Sequence, residues 1–142
     1  MNSHVKRIKI IQNKAIRIIN FSGNRTSSSP LYKISNILKF EDQITLENFL
    51  FVHDSLKKKT PIPLQERFNL IRNTHRFNVR ISAKNCVQIP PARTNEFGIH
   101  SILGRAARNW NHFQILMQNE NLYSISRNQC KKKIKDYFLN SY

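Results

Sequence analysis

A chain of 142 residues with 24 Lys and Arg against eight Asp and Glu carries a formal charge of +16. Hydrophobic residues at 39%, nine Phe among them and only three Gly, are enough for one modest core and exclude a low-complexity or wholly disordered chain. No apolar run reaches the length of a membrane span, and Cys86, Cys130 and five scattered His lack the clustering a zinc site needs.

Residues 3–21 predict the first helix. Ile8, Ile11, Ala15, Ile18 and Ile19 recur at helical steps, with Lys6, Lys9, Asn13 and Arg17 opposite and Arg7 and Lys14 on the flank. This stripe is expected to bury against a partner surface, with Ser3 at the start and Gly23 as the stop. After a polar loop, Ser29-Pro30 reads as a cap followed by proline at the first helical position. The short helix it opens places Leu31, Ile34 and Leu38 on one side.

A third helix is expected from about Asp42 to Lys58. Thr45, Phe49, Val52 and Leu56 form one row and Leu46 and Leu50 widen it, which marks the central core helix. Lys57-Lys58-Lys59 and the breaker Thr60-Pro61-Ile62-Pro63 end it, and the cations suit a helix C-terminus. Over 76–84 the period changes. Phe77, Val79, Ile81 and Ala83 alternate with Arg76, Asn78, Arg80, Ser82 and Lys84, which predicts an extended segment with one apolar and one basic face. That basic face suits either phosphate contact or simple solvation.

Residues 85–95 with Pro90-Pro91 read as a loop. Helical spacing returns after Ser101 through Ile102, Ala106 and Trp110, so Trp110 is expected in the core and Arg105 and Arg108 off it. The last helix spans about 127–140, capped by Ser126, with Cys130, Ile134, Tyr137 and Phe138 inward and Lys131, Lys132, Lys133 and Lys135 elsewhere. The fold class is therefore mainly α: about five helices and one extended segment, divided as a helical segment 1–60 and a basic helical region 61–142 that fold as one unit.

The charge points to a polyanion, nucleic acid first and an anionic membrane surface second. AT-rich coding, visible in 18 Ile and 17 Asn, raises Lys without selection, yet it does not remove acids. The eight acids do not suit two-metal phosphoryl transfer: Glu41 and Asp42 are adjacent, with Asp42 read as a helix cap, while Glu47 and Asp54 stand two helical turns apart. No Gly-rich phosphate loop and no G-x-S-x-G elbow is present, so no catalytic residue, metal or cofactor is assigned. The residues expected to meet RNA or DNA backbone are Lys6, Lys9, Arg17, Arg72, Arg76, Arg80, Arg105, Arg108, Lys131, Lys132 and Lys135. No membrane and no small-molecule substrate is expected.

Several segments in order resemble a known family. Gln12, Ala15, Arg17 and Ile19 fit its Gln-x-x-Ala-x-Arg-x-Ile helix, and His75, Phe77 and Arg80 its His-x-aromatic-x-x-Arg element. Arg93-Thr94, Gly104 and Trp110-Asn111 follow in the family's sequence, with 30–38 and the 130–142 end adding to the likeness. Nearly the whole chain thereby resembles the C-terminal end of the reverse transcriptase of non-LTR retrotransposons of the jockey-like and related kinds. It departs from them in His112, Phe113 and Gln114, where a Leu-Pro step is usual, and in Val79, where Thr is usual.

The resemblance implies a thumb-like first helix, a terminal region that holds template or target backbone, and catalytic aspartates in an upstream polymerase domain. That domain is itself a possible partner. An intracellular protein of the nucleus or cytoplasm is expected. The alternative is a mitochondrial RNA-associated structural protein with a cleaved basic N-terminus.

Overall fold

The computed structural model describes residues 3–74, 85–91, 94, 101–117 and 121–142. Among them the chain is mainly helical, in the order α1 (Ser3–Ile19), α2 (Ser28–Ile34), α3 (Phe40–Leu56), α4 (Ile62–Gln65), α5 (Ile71–Thr74), α6 (Ile102–Leu116) and α7 (Arg127–Asn140). No helix among the described residues is long and apolar enough to cross a membrane. The expected extended segment, with Arg76 and Arg80, lies outside the described residues. The chain packs as two units, Met1–Leu46 with Lys132–Tyr142, and Glu47–Lys131.

In the first unit α1 packs on α2 around Ile16, Leu31 and Tyr32, with Tyr142 against them. The inward face of α1 is not the isoleucine stripe that its spacing predicted. Ile11, Ile18 and Ile19 are 65%, 73% and 59% exposed, whereas Ile16 is buried. Polar groups set this rotation. The Gln12 amide donates to the Leu38 carbonyl at 2.9 Å, and its oxygen accepts from the Phe40 amide at 2.8 Å. Asn13 accepts from the Tyr32 hydroxyl at 3.0 Å, and Asn20 donates to Ser35 at 2.8 Å. An unmet buried polar group costs about 1–3 kcal/mol, so an amide-lined contact of this kind can outweigh the burial of isoleucines that tolerate water.

Helix α1 ends in a Schellman turn: the Ser22 amide donates to Arg17 and the Phe21 amide to Ile18. The left-handed position belongs to Phe21, at φ 50°, and not to the expected Gly23. Asn36 and Lys58 take the same position after α2 and α3. Helix α2 starts at Ser28 after the N-cap Ser27, so Pro30 stands at the third helical position, two residues later than expected. Its inward side is Leu31 and Tyr32, and Ile34 is 73% exposed.

Helix α3 begins at Phe40, so Asp42 lies in its first turn rather than at its cap. Its end groups are met from afar, the Phe40 amide by Gln12 and the Lys39 amide by the Tyr142 hydroxyl at 3.0 Å.

In the second unit, the α3 residues Phe49, Leu50, Val52 and His53 are buried, as the central-core reading of this helix requires. The Phe49 ring stacks on Trp110 at 4.7 Å between centroids and meets Phe113 edge-on at 5.8 Å. Helix α6 is capped by Ser101, which accepts from the Gly104 amide at 3.1 Å. Ala106, Ala107, Trp110 and Phe113 point inward, while Ile102 is 59% exposed against expectation.

An isolated antiparallel bridge joins Leu70 to Val87. Ile71 donates to Cys86 at 2.9 Å and Gln88 to Asn69 at 2.8 Å beside it. The start of α7 forms a capping box in which Ser126 accepts from the Gln129 amide while the Gln129 side chain accepts from the Ser126 amide. Cys130 and Ile134 are buried as expected, Tyr137 is exposed against expectation, and Leu139 on the opposite side of the helix is buried. Both cysteines are buried thiols.

Candidate nucleic-acid interface

Eight acids can neutralise at most eight of 24 cations, which leaves a surplus of 16. Two ion pairs among the described residues show how differently cations are held. Arg127 Nε donates to Asp54 at 2.8 Å, and Lys9 meets Glu41 at 3.3 Å with both side chains close to half exposed. An exposed pair of the latter kind contributes about 0–1 kcal/mol and yields easily to a competing phosphate.

On α1, Lys6 is exposed and Arg17 is half-buried, its Nε donating to the Thr26 carbonyl at 2.8 Å. That bond fastens the loop after the helix and leaves the rest of a guanidinium fork with five donors. On α7, helical spacing sets Lys131, Lys132 and Lys135 on one side, away from Cys130 and Ile134. Lys131 and Lys132 are exposed and Lys135 half-buried.

On α6 the exposed Arg105 and the half-buried Arg108 stand on the side away from Trp110. His112 extends that row one turn further. Apolar spacing alone does not point to it, although three-, four- and seven-residue steps link Arg105, Arg108 and His112.

Arg72 is committed to its own unit. Its Nη1 donates to Asn85 at 2.8 Å, and its guanidinium lies 5.4 Å from the centre of the Tyr123 ring, which also carries the Lys57 ammonium at 4.4 Å. The Tyr123 ring is thus engaged by cations and is no open platform for a base. Lys57 and Tyr123 were not foreseen, since nothing local in the sequence links them. The sequence-assigned cations therefore fall on separate helices in two units, and Arg76 and Arg80 lie outside the described residues.

The adjacent carboxylates Glu41 and Asp42 diverge. Glu41 faces Lys9, and Asp42 accepts a hydrogen bond from the Tyr142 hydroxyl. A cavity of about 330 Å³ in the first unit is lined by Lys9, Lys39, Glu41, Asp42 and Tyr142 among others. Its two ammonium groups and two carboxylates balance, so it offers a polyanion no net attraction. Among the described residues no group of three His, Cys, Asp or Glu is placed to hold a metal ion.

Tyr142 also gives the first unit a pH dependence. Burial raises the pKa of its phenol, and donation to Asp42 raises it further, against the Lys39 amide, which favours the phenolate. An unfolded chain loses this proton near pH 10, the ordinary tyrosine value, while the folded unit keeps it. The folded state then holds the extra proton, so the contribution is complete below pH 10 and is lost as pH rises toward the folded pKa. Tyr142→Phe is expected to flatten the fall in melting temperature between pH 9 and 11 relative to the unsubstituted chain. Equal slopes would show that the hydroxyl is not coupled to folding.

No protein-family model matches the chain, and no curated protein or solved structure is significantly similar to it.

Proposed function

We propose that the chain binds RNA or DNA backbone without sequence preference and catalyses no reaction of its own. The observation that carries this reading is the surplus of cations together with its placement. Arg105 on α6 and Lys131 and Lys132 on α7 are exposed on the sides of their helices that turn away from buried Trp110, Cys130 and Ile134. Spacing charges along helices rather than pairing them destabilises an isolated fold and suits one that meets a dense line of phosphates.

The acids support the same reading. Glu41, Asp42 and Asp54 are turned to partners in their own units and do not converge on a common point within them. The ordered motifs from Gln12 to Trp110-Asn111 support the further proposal that the chain is the terminal part of a retroelement reverse transcriptase. The polymerase chemistry would then belong to another part of such a protein.

A filter-binding titration of single-stranded RNA and duplex DNA tests the proposal. With six to eight phosphate contacts, log affinity should fall against log salt with a slope of about −5 to −7. The triple variant Arg105→Ala, Lys131→Ala, Lys132→Ala should reduce that slope by about two to three units with its helical content unchanged. A slope near zero in the unsubstituted chain would remove the reading.

A further inference from the structure

Four of the five isoleucines that α1 turns outward form, with Ala15, a continuous apolar face. Ile18, Ile11, Ala15, Ile8 and Ile19 follow one another around about 100° of the helix and about 17 Å along it. Phe21, in the left-handed turn that closes the helix, is 99% exposed. A bulky residue in that conformation costs about 1 kcal/mol, and its ring is buried against nothing to repay it. Arg7 and Lys14, both exposed, border this face, and no acid occurs before Glu41.

We infer that this face of α1 is an interfacial surface for an anionic lipid bilayer, a role beyond nucleic-acid binding. Two features select the occupant. The first is charge: Arg7 and Lys14 beside an acid-free apolar stripe fit a surface that offers anions and hydrocarbon together. A polyphosphate backbone would satisfy the cations and leave the isoleucines in water. A second copy of this chain would set cation against cation.

The second feature is shape. Gln12, Asn13, Ile16 and Asn20 hold the opposite side of α1 to α2 and to the 38–40 segment. The isoleucine face is left uncovered by these contacts and can rest on a flat boundary. Phe21 at the corner then enters the acyl region first.

Co-sedimentation of the full chain with vesicles of phosphatidylcholine alone and of phosphatidylcholine mixed with phosphatidylserine tests this. Binding is expected to the mixed vesicles and not to the neutral ones. Ile11→Ser and Ile18→Ser should each weaken it about tenfold, and Arg7→Gln or Lys14→Gln about fivefold. The exposed Ile variants should melt as the unsubstituted chain does and keep its RNA affinity and salt slope, so loss of lipid binding and loss of nucleic-acid binding are read separately. No binding to the mixed vesicles at low salt would overturn the inference. So would vesicle binding indifferent to Ile11 and Ile18, which is adsorption by charge alone, or an Ile18-dependent dimer, which assigns the face to a second copy.

Discussion

Trp110→Ala should destabilise the Glu47–Lys131 unit by about 3–5 kcal/mol, the range for deleting a large buried aromatic. Trp110 is fully buried, stacks on Phe49 at 4.7 Å, and donates from Nε1 to the Asn85 carbonyl at 2.9 Å. The alanine variant therefore loses packing on α3 and also leaves a buried carbonyl without its donor, worth about 1–3 kcal/mol alone. Trp110→Phe keeps an aromatic face toward Phe49 and isolates the second loss, so it should fall between the two. Urea unfolding followed by circular dichroism reads both variants, because the chain has a single Trp and fluorescence would vanish with it. A change below about 1 kcal/mol in the alanine variant, accompanied by a fall in RNA affinity, would convert Trp110 from a core anchor into a stacking platform.

The sequence reading and the structure agree where apolar residues at helical spacing meet other apolar residues. The five expected helices are α1, α2, α3, α6 and α7, and Phe49, Ala106, Trp110, Cys130 and Ile134 lie inside as their spacing requires. Agreement fails on α1, because periodicity counts isoleucines and does not see that Gln12, Asn13 and Asn20 have partners waiting across the contact. Tyr32 displaced Ile34 for the same reason, since its hydroxyl is met by Asn13.

The Thr60-Pro61-Ile62-Pro63 stretch predicts a chain break, and the structure starts the single turn α4 there. Pro61 and Pro63 occupy its N-cap and first turn, where a missing amide hydrogen costs nothing. The candidate interface was legible as composition and hardly at all as geometry. Surface charges obey no packing rule, so their chain positions say which side of a helix they occupy and not which cations meet. The engagement of Arg72 with Asn85 and Tyr123 depends on contacts far apart in sequence. Charge spacing could nevertheless have found His112.

Asn111 illustrates the same limit, since the sequence marks it beside Trp110 but gives no hint of its partner. Its side chain imitates a strand neighbour: the oxygen accepts from the Val87 amide at 2.8 Å and the amide donates to the Val87 carbonyl at 2.9 Å. Val87 is fully buried, so both backbone groups depend on this one side chain where the bridge to Leu70 does not serve them. Asn111→Ala should cost about 2–4 kcal/mol, most of it as local opening. Hydrogen exchange should then show lost protection at Val87, Gln88 and Ile71 before the amides of α6.

Asn111→Asp is the sharper variant. The introduced carboxylate can still accept from the Val87 amide but sets a second acceptor against the Val87 carbonyl, so its charged form is disfavoured in the folded state and its pKa is raised there. The folded state then binds the extra proton, and stability returns as pH falls through that raised pKa, because the protonated carboxyl donates to the carbonyl as the amide did. The gap between this variant and the unsubstituted chain should narrow from pH 7 to pH 4. A gap that stays constant would show that Asn111 acts by filling space, and that the Val87 carbonyl finds its donor elsewhere.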